Sequence, residues 1–161
     1  MKKVKEKIRT YINYCGKTNS GKSTVLGLVI KKLLEVGEAI PPYNRNPRGK
    51  DRRIVIKIDQ QYVAVSTFGD NLQNLMKNHR LFDQYNPQVM VTASHAHEDH
   101  AHNLFIDNYV YNEITADNEF DEYRMPFNYI KIQSEKCPNP KEYDRIKANY
   151  IYNLILESLK I

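Results

Sequence analysis

The chain has 161 residues, of which 41% are hydrophobic and 27% charged, with a formal net charge of +5. This length suits one domain over residues 1–161 with a substantial buried core, and no apolar run is long enough to span a membrane. We therefore expect no membrane partner. The two cysteines, Cys15 and Cys137, provide no disulfide framework and indicate a reducing compartment, so we expect a cytoplasmic protein.

The first predicted elements are a strand and a helix joined by a glycine-containing segment. Residues 8–15 are rich in Ile, Tyr and Thr, which favour a β-strand. Apolar residues then recur at helical spacing, and Gly37 follows them as a natural helix end: Val25, Leu26, Val29, Ile30, Leu33 and Leu34. The segment between them fits the pattern G-x-x-x-x-G-K-[ST], which begins at Gly16.

Each fixed position of this pattern has a separate physical role. Gly16 and Gly21 allow backbone conformations that a Cβ would forbid, so that successive N–H groups can surround an anion at the start of a helix. Lys22 can reach the β- and γ-phosphates of a nucleotide, and the Ser23 hydroxyl can bind Mg²⁺. The predicted nucleotide-binding residues are Gly16, Lys17, Thr18, Asn19, Ser20, Gly21, Lys22, Ser23 and Thr24.

With strand, glycine segment and helix in this order, residues 8–37 resemble the P-loop NTPase superfamily. The resemblance implies Mg²⁺-dependent binding of a nucleoside triphosphate, with hydrolysis or phosphoryl transfer to an acceptor that the sequence does not identify. It implies catalytic roles for Lys22 and an acidic residue elsewhere. No Asn-Lys-x-Asp motif for guanine follows, so ATP is expected in preference to GTP.

The rest of the chain alternates strands and helices. A Pro-rich loop over 38–51 precedes two β-prone runs, 53–58 and 62–67, whose short joint predicts an antiparallel hairpin. A helix from Asp70 to about Phe82, a strand over 89–93, a helix over 104–111 and a strand over 127–132 follow. A final helix is capped by Asn139 and Glu142, with one face formed by Tyr143, Ile146, Tyr150, Leu154 and Ile155. This order predicts an α/β fold in three layers, with a mostly parallel sheet, helices on both faces and one antiparallel hairpin.

Two aspartates follow apolar strands and are candidates for the acidic partner of Mg²⁺. Asp70 lies at a strand-to-helix junction, where it could bind Mg²⁺ or cap the helix. It would share a sheet edge with the phosphate loop if strand 62–67 runs parallel to the first strand. Asp59 lies in the predicted hairpin turn, where turn formation is its ordinary role.

A histidine-rich segment supports a different function. His95, His97, Asp99 and His100 fit H-x-H-x-D-H and follow a predicted strand, and in this they resemble metallo-β-lactamase-fold hydrolases. Imidazole and carboxylate groups at this spacing suit Zn²⁺. No histidine follows His102, so further ligands of that family are missing. A metal-dependent hydrolase therefore stays an alternative, beside a solvated loop without a ligand.

Basic residues concentrate at 2–9 and 45–53. Such clusters can hold the phosphates of a nucleic acid, or they can be solvated polar segments. A non-catalytic module that binds nucleotide or nucleic acid is therefore a further alternative.

Overall fold

The computed structural model describes residues 9–16, 21–41, 53–67, 77–78, 84–95, 128–134 and 139–159. In these ranges the chain forms six strands and two long helices. In chain order they are β1 (Thr10–Gly16), α1 (Lys22–Val36), β2 (Glu38–Ala39), β3 (Arg53–Ile58), β4 (Gln61–Ser66), β5 (Val89–His95), β6 (Asn128–Gln133) and α2 (Pro140–Leu159).

The strands form one mixed sheet with the order β2-β3-β4-β5-β1-β6. Neighbours β4, β5, β1 and β6 are parallel, and β3 is antiparallel to both β2 and β4. The structure therefore confirms a mixed α/β fold with a mostly parallel sheet and the predicted β3–β4 hairpin. Strand β1 lies between two parallel neighbours, so its carboxyl end is central at one edge of the sheet.

Both long helices pack on the same face of the sheet. Buried residues of α1 and α2 belong to one apolar cluster with the alternate strand residues that include Ile12, Val63 and Val91. At the side of this layer, the Lys32 ammonium lies 5.3 Å from the centre of the Tyr152 ring. The helices predicted for the opposite face, over 70–82 and 104–111, fall outside the described residues except for helical Lys77 and Asn78. The three-layer arrangement stays a prediction.

Helix α2 buries a stripe that shares only Ile155 with the apolar face noted in the sequence. The residues that it buries are Ala148, Ile151, Ile155 and Leu159. In contrast, Ile146 is 57% exposed and Tyr150 is 52% exposed. The predicted face was therefore wrong at these two positions, because the aromatic and apolar pattern of this helix fits two overlapping stripes. The predicted cap is formed in part, since the Asn139 side-chain amide donates to Glu142 Oε2 at 3.2 Å.

Gly37 ends α1 at the predicted place but for a different reason. Its backbone is extended, with φ −150° and ψ −175°, so it lacks the left-handed conformation that a terminal glycine usually adopts. A Cβ at this position would lie 2.6 Å from both Ile58 Cγ1 and the Lys57 carbonyl oxygen. Glycine is therefore required because β3 passes close to the helix end.

The sheet face opposite the two helices carries buried polar side chains. Ser94 Oγ donates to Asn13 Oδ1 at 2.9 Å, and the hydroxyls of Tyr11 and Thr92 share a hydrogen bond of 3.1 Å. All four residues are at most 2% exposed. Hydrogen bonding thus explains how Asn13, a polar residue, occupies a central strand. Among the described residues, no helix has the length and apolar character needed to cross a membrane.

Candidate functional site

Three parallel strands end together at one edge of the sheet, and both helices begin there. Gly16, at the end of β1, is in register with His95 at the end of β5, and Cys15 is in register with Gln133 of β6. Helix α1 starts six residues after Gly16, and α2 starts shortly after β6. In sheets of this kind, ligands bind at the carboxyl ends of the strands. We call this edge, with the starts of both helices, the carboxyl edge.

Only one of the two glycines of the pattern has the special backbone conformation that the sequence predicted, because Gly16 ends β1 as an ordinary strand residue. Gly21 is the N-cap residue, with φ 87° and ψ 14°, and no side chain of the described residues caps the helix. The left-handed conformation at Gly21 is one that residues with a Cβ rarely adopt. No described side chain therefore caps the positive end of the helix dipole, and this end of a helix favours an anion.

Lys22 connects the two ends of the glycine segment. Its ammonium group Nζ donates a hydrogen bond to the carbonyl oxygen of Gly16 at 2.8 Å. A lysine ammonium thus lies over the gap between β1 and α1. Ser23 follows on the first turn and is half-buried, while Thr24 is exposed. Lys17, Thr18, Asn19 and Ser20 lie outside the described residues.

The other predicted site residues are only partly described. Strand β4 runs parallel to β1, as the prediction for Asp70 required, but Asp70 itself lies outside the described residues. Asp59 has φ 54° in the β3–β4 turn, at the opposite end of the strands from the carboxyl edge, which fits its role in the turn.

The histidine motif is described at one position only. His95 ends β5 beside Gly16, so the segment that follows it leaves the sheet at the carboxyl edge. His97, Asp99 and His100 lie outside the described residues. Within the described ranges, no group of three or more His, Cys, Asp or Glu side chains could hold a metal ion. The metal-hydrolase alternative stays a prediction.

The structure places an acidic residue at the carboxyl edge that the sequence analysis missed. A Cβ on Gly21 would lie 3.0 Å from Oδ1 of Asp144 and 3.6 Å from Oδ2. The carboxylate of Asp144 on α2 therefore lies close to the start of α1. Burial raises the pKa of the Asp144 carboxyl above its ordinary value.

Tyr14 is a second polar group that sequence reasoning missed. Its side chain is fully buried, and its hydroxyl makes no hydrogen bond of good geometry with the described residues. The pKa of this hydroxyl is well above its ordinary value, and burial is the largest cause. A side-chain interaction with Ser134 lowers the pKa, whereas the nearby Tyr143 and Asp144 raise it further. The hydroxyl is therefore neutral at physiological pH and can donate a hydrogen bond.

A signal for Asp144 was present in the sequence. Asp144 is four residues before Ala148, which begins the buried stripe of α2. A carboxylate that lies one turn before an apolar stripe is on the same face of the helix as that stripe. Because α2 follows a strand that pairs with β1, such a carboxylate is expected near the carboxyl edge. The predicted stripe lay on a different part of the helix surface from Asp144, so Asp144 was assigned no role. No comparable signal was available for Tyr14, because a tyrosine in a β-strand is ordinary.

The basic residues described at the two clusters have partners within the chain. Arg9 donates to Asn86 Oδ1 at 3.1 Å, and Arg53 donates through Nε to Asn78 Oδ1 at 2.6 Å. The other basic residues of 2–9 and 45–53 lie outside the described ranges, so nucleic-acid binding through them stays a prediction.

Comparisons with protein-family models, with curated proteins and with solved structures found no significant match for this chain.

Proposed function

We propose that this protein binds a magnesium nucleoside triphosphate at the carboxyl edge, with ATP as the expected nucleotide, and hydrolyses it or transfers its terminal phosphoryl group. The observation that carries the proposal is the contact between Lys22 Nζ and the Gly16 carbonyl oxygen at 2.8 Å. It holds a cation at the start of a helix that no described side chain caps, where the backbone turns through a left-handed glycine. A cation beside the N–H donors at the start of a helix is a combination that suits phosphate groups.

The residues fit the chemical groups of such a ligand. The N–H groups at the start of α1 can donate to phosphate oxygens, and Lys22 can exchange the Gly16 carbonyl for a phosphate oxygen. The Ser23 hydroxyl can contribute an oxygen to Mg²⁺, which prefers oxygen ligands and retains several waters. During phosphoryl transfer, the Lys22 ammonium would offset charge that develops on the transferred group. Magnesium would supply further charge neutralisation when bound.

Thermal unfolding in the presence of nucleotides tests this proposal. Wild type, Lys22→Ala and Lys31→Ala are compared with ATP, GTP, ADP and GDP, each with Mg²⁺. Lys31 is a matched control because it is an exposed lysine on the same helix. A ligand at a hundred times its Kd stabilises by about 2.7 kcal/mol, which raises Tm by roughly 5–10 °C in a domain of this size.

We expect this rise in wild type and Lys31→Ala and its loss in Lys22→Ala. The unfolding of Lys22→Ala without ligand is measured in parallel, because the variant also loses the hydrogen bond to Gly16. Phosphate release under the same conditions then separates hydrolysis from binding alone. The proposal fails if no nucleotide raises the Tm of wild type, or if Lys22→Ala retains the full rise.

A further inference from the structure

We propose that the outward face of helix α2 binds the same face of a second copy of this chain, so that the protein forms a symmetric dimer through two antiparallel helices. The face consists of Tyr143, Ile146, Tyr150 and Leu154, which we call the outer stripe. The core of the protein leaves the two central members of this stripe exposed. The inference is independent of the proposed nucleotide site.

Helix α2 has two apolar stripes, and the core uses only one of them. Ala148 belongs to the buried stripe. Ile146 and Tyr150 lie roughly 160° around the helix axis from Ala148, and they remain 57% and 52% exposed. Tyr143 and Leu154 flank them at helical spacing and are half-buried. A surface helix needs one apolar stripe to pack on its own domain, so the second stripe indicates a partner.

The outer stripe also faces away from helix α1. Tyr152 marks the side of α2 that faces α1, because the Lys32 ammonium lies 5.3 Å from the centre of the Tyr152 ring. Tyr150 lies roughly 160° around the axis from Tyr152 as well. The contacts of α2 with the sheet and with α1 therefore leave the centre of the outer stripe on the outside of the described fold.

The order of side chains along the outer stripe fits a copy of itself. When two such helices pair antiparallel about Tyr150, the two Tyr150 rings meet at the symmetry axis. Ile146, four residues earlier, then lies level with the partner's Leu154, four residues later. Because the pairing is symmetric, this contact occurs twice. The centre of the interface is therefore apolar on both sides.

Charges at the two ends of the stripe complement each other in the same alignment. Glu157 is exposed, and it lies level with the partner's Tyr143. The Lys147 ammonium is 5.7 Å from the centre of the Tyr143 ring, so a cation occupies the level that the partner's Glu157 reaches. Opposite charges therefore meet at both ends, whereas a parallel pair would place identical charges side by side.

An apolar centre with polar ends is the general pattern of protein interfaces. Here each end of the stripe is complementary to the opposite end of the same helix. This favours a second copy of the chain as the partner over an unrelated protein.

Sedimentation velocity of the full chain at about 1–300 µM measures dimerisation, because one pair of helices makes a small interface that should dissociate in the micromolar range. The first variant is Tyr150→Glu, and its control is Leu34→Glu. Leu34 is an apolar residue of α1 outside the outer stripe and is 41% exposed. Both substitutions are at exposed positions, so both variants should fold, and circular dichroism checks this.

We expect Tyr150→Glu to raise the Kd by about thirtyfold or more, because it removes a central aromatic side chain and sets two carboxylates together at the symmetry axis. Leu34→Glu should retain the Kd of wild type.

Two charge reversals test the alignment of the helices. Lys147→Glu should raise the Kd by about three- to tenfold, because it sets a carboxylate against the partner's Glu157 at both ends. Glu157→Lys should do the same with ammonium groups. An equimolar mixture of the two variants should form a heterodimer with about the Kd of wild type, because each end then pairs a carboxylate with an ammonium group.

The proposal is wrong if wild type stays monomeric over the whole concentration range, a result that leaves the outer stripe to a different partner. It is also wrong if Leu34→Glu weakens the dimer as much as Tyr150→Glu does, or if the mixture dimerises no better than its separate components. Loss of the dimer in Tyr150→Glu together with its recovery in the mixture supports the proposal.

Discussion

Replacement of Gly21 by alanine tests the backbone geometry on which the candidate site depends. Gly21 has φ 87°, a left-handed conformation that costs an alanine roughly 1–2 kcal/mol. The added Cβ would also lie 3.0 Å from Oδ1 of Asp144, but this oxygen ends a side chain that can move. Most of the loss should therefore come from the backbone, and Tm should fall by roughly 2–8 °C.

Urea unfolding followed by circular dichroism measures this loss without any ligand. Gly27→Ala is the matched control, because Gly27 is helical within α1 and alanine there should stabilise by about 0.4–1 kcal/mol. Gly21→Ala is also measured in an Asp144→Ala background. A penalty that persists there comes from the backbone, and one that disappears comes from the contact with Asp144. Wild-type stability of Gly21→Ala would refute the left-handed conformation at this residue.

Two other predictions concern Gly37 and the titration of Asp144. Gly37→Ala should lower the free energy of unfolding by about 1–3 kcal/mol in urea titrations, because its Cβ would lie 2.6 Å from Ile58 Cγ1 and the Lys57 carbonyl oxygen. An unchanged unfolding midpoint would show that β3 does not pass this close. The pKa of Asp144 is raised in the folded state, so the folded protein binds this proton more tightly than the unfolded protein does. The carboxyl should therefore lower the free energy of unfolding as pH rises from 3.8 through the raised pKa. Across that interval, the free energy of unfolding of Asp144→Asn should therefore rise relative to that of wild type. Urea titrations from pH 3 to pH 7 measure this difference between variant and wild type, and a difference that does not change with pH would contradict the burial of this carboxyl.

Much of the fold was predictable because its signals are local. The glycine pattern between a β-prone run and an amphipathic helix located β1 and α1, and the short joint after Ile58 predicted the β3–β4 hairpin. Strand β5 extends to His95, beyond the predicted end at Ala93, because pairing with β1 continues as far as Gly16. Pairing partners belong to tertiary structure, so strand ends are set by neighbours that the local pattern does not reveal.

The candidate site was predictable only in the glycine segment. Its residues are consecutive, so spacing alone brings them together. Asp144 reaches Gly21 because α1 and α2 pack side by side on one sheet face, and this depends on which stripe of α2 is buried. Tyr143, Ile146 and Tyr150 gave a competing stripe of similar apolar character, and the structure exposes two of them. The contact between helices therefore could not be inferred from either helix alone.

The buried polar pairs of β1 and β5 have a consequence for how these strands align. Tyr11 bonds to Thr92, and Asn13 bonds to Ser94, with the same offset along both strands. A shift of two residues would keep every side chain on its own face, and Val89, Val91 and Ala93 would offer similar apolar surfaces to the helices. It would nevertheless separate both polar pairs and allow at most one of them to be replaced, by Asn13 with Thr92 or by Tyr11 with Ser94, and each hydrogen bond lost costs about 0.5–1.5 kcal/mol. The polar face thus favours the observed register over a shifted one that the apolar face would accept, and in this register Gly16 pairs with His95.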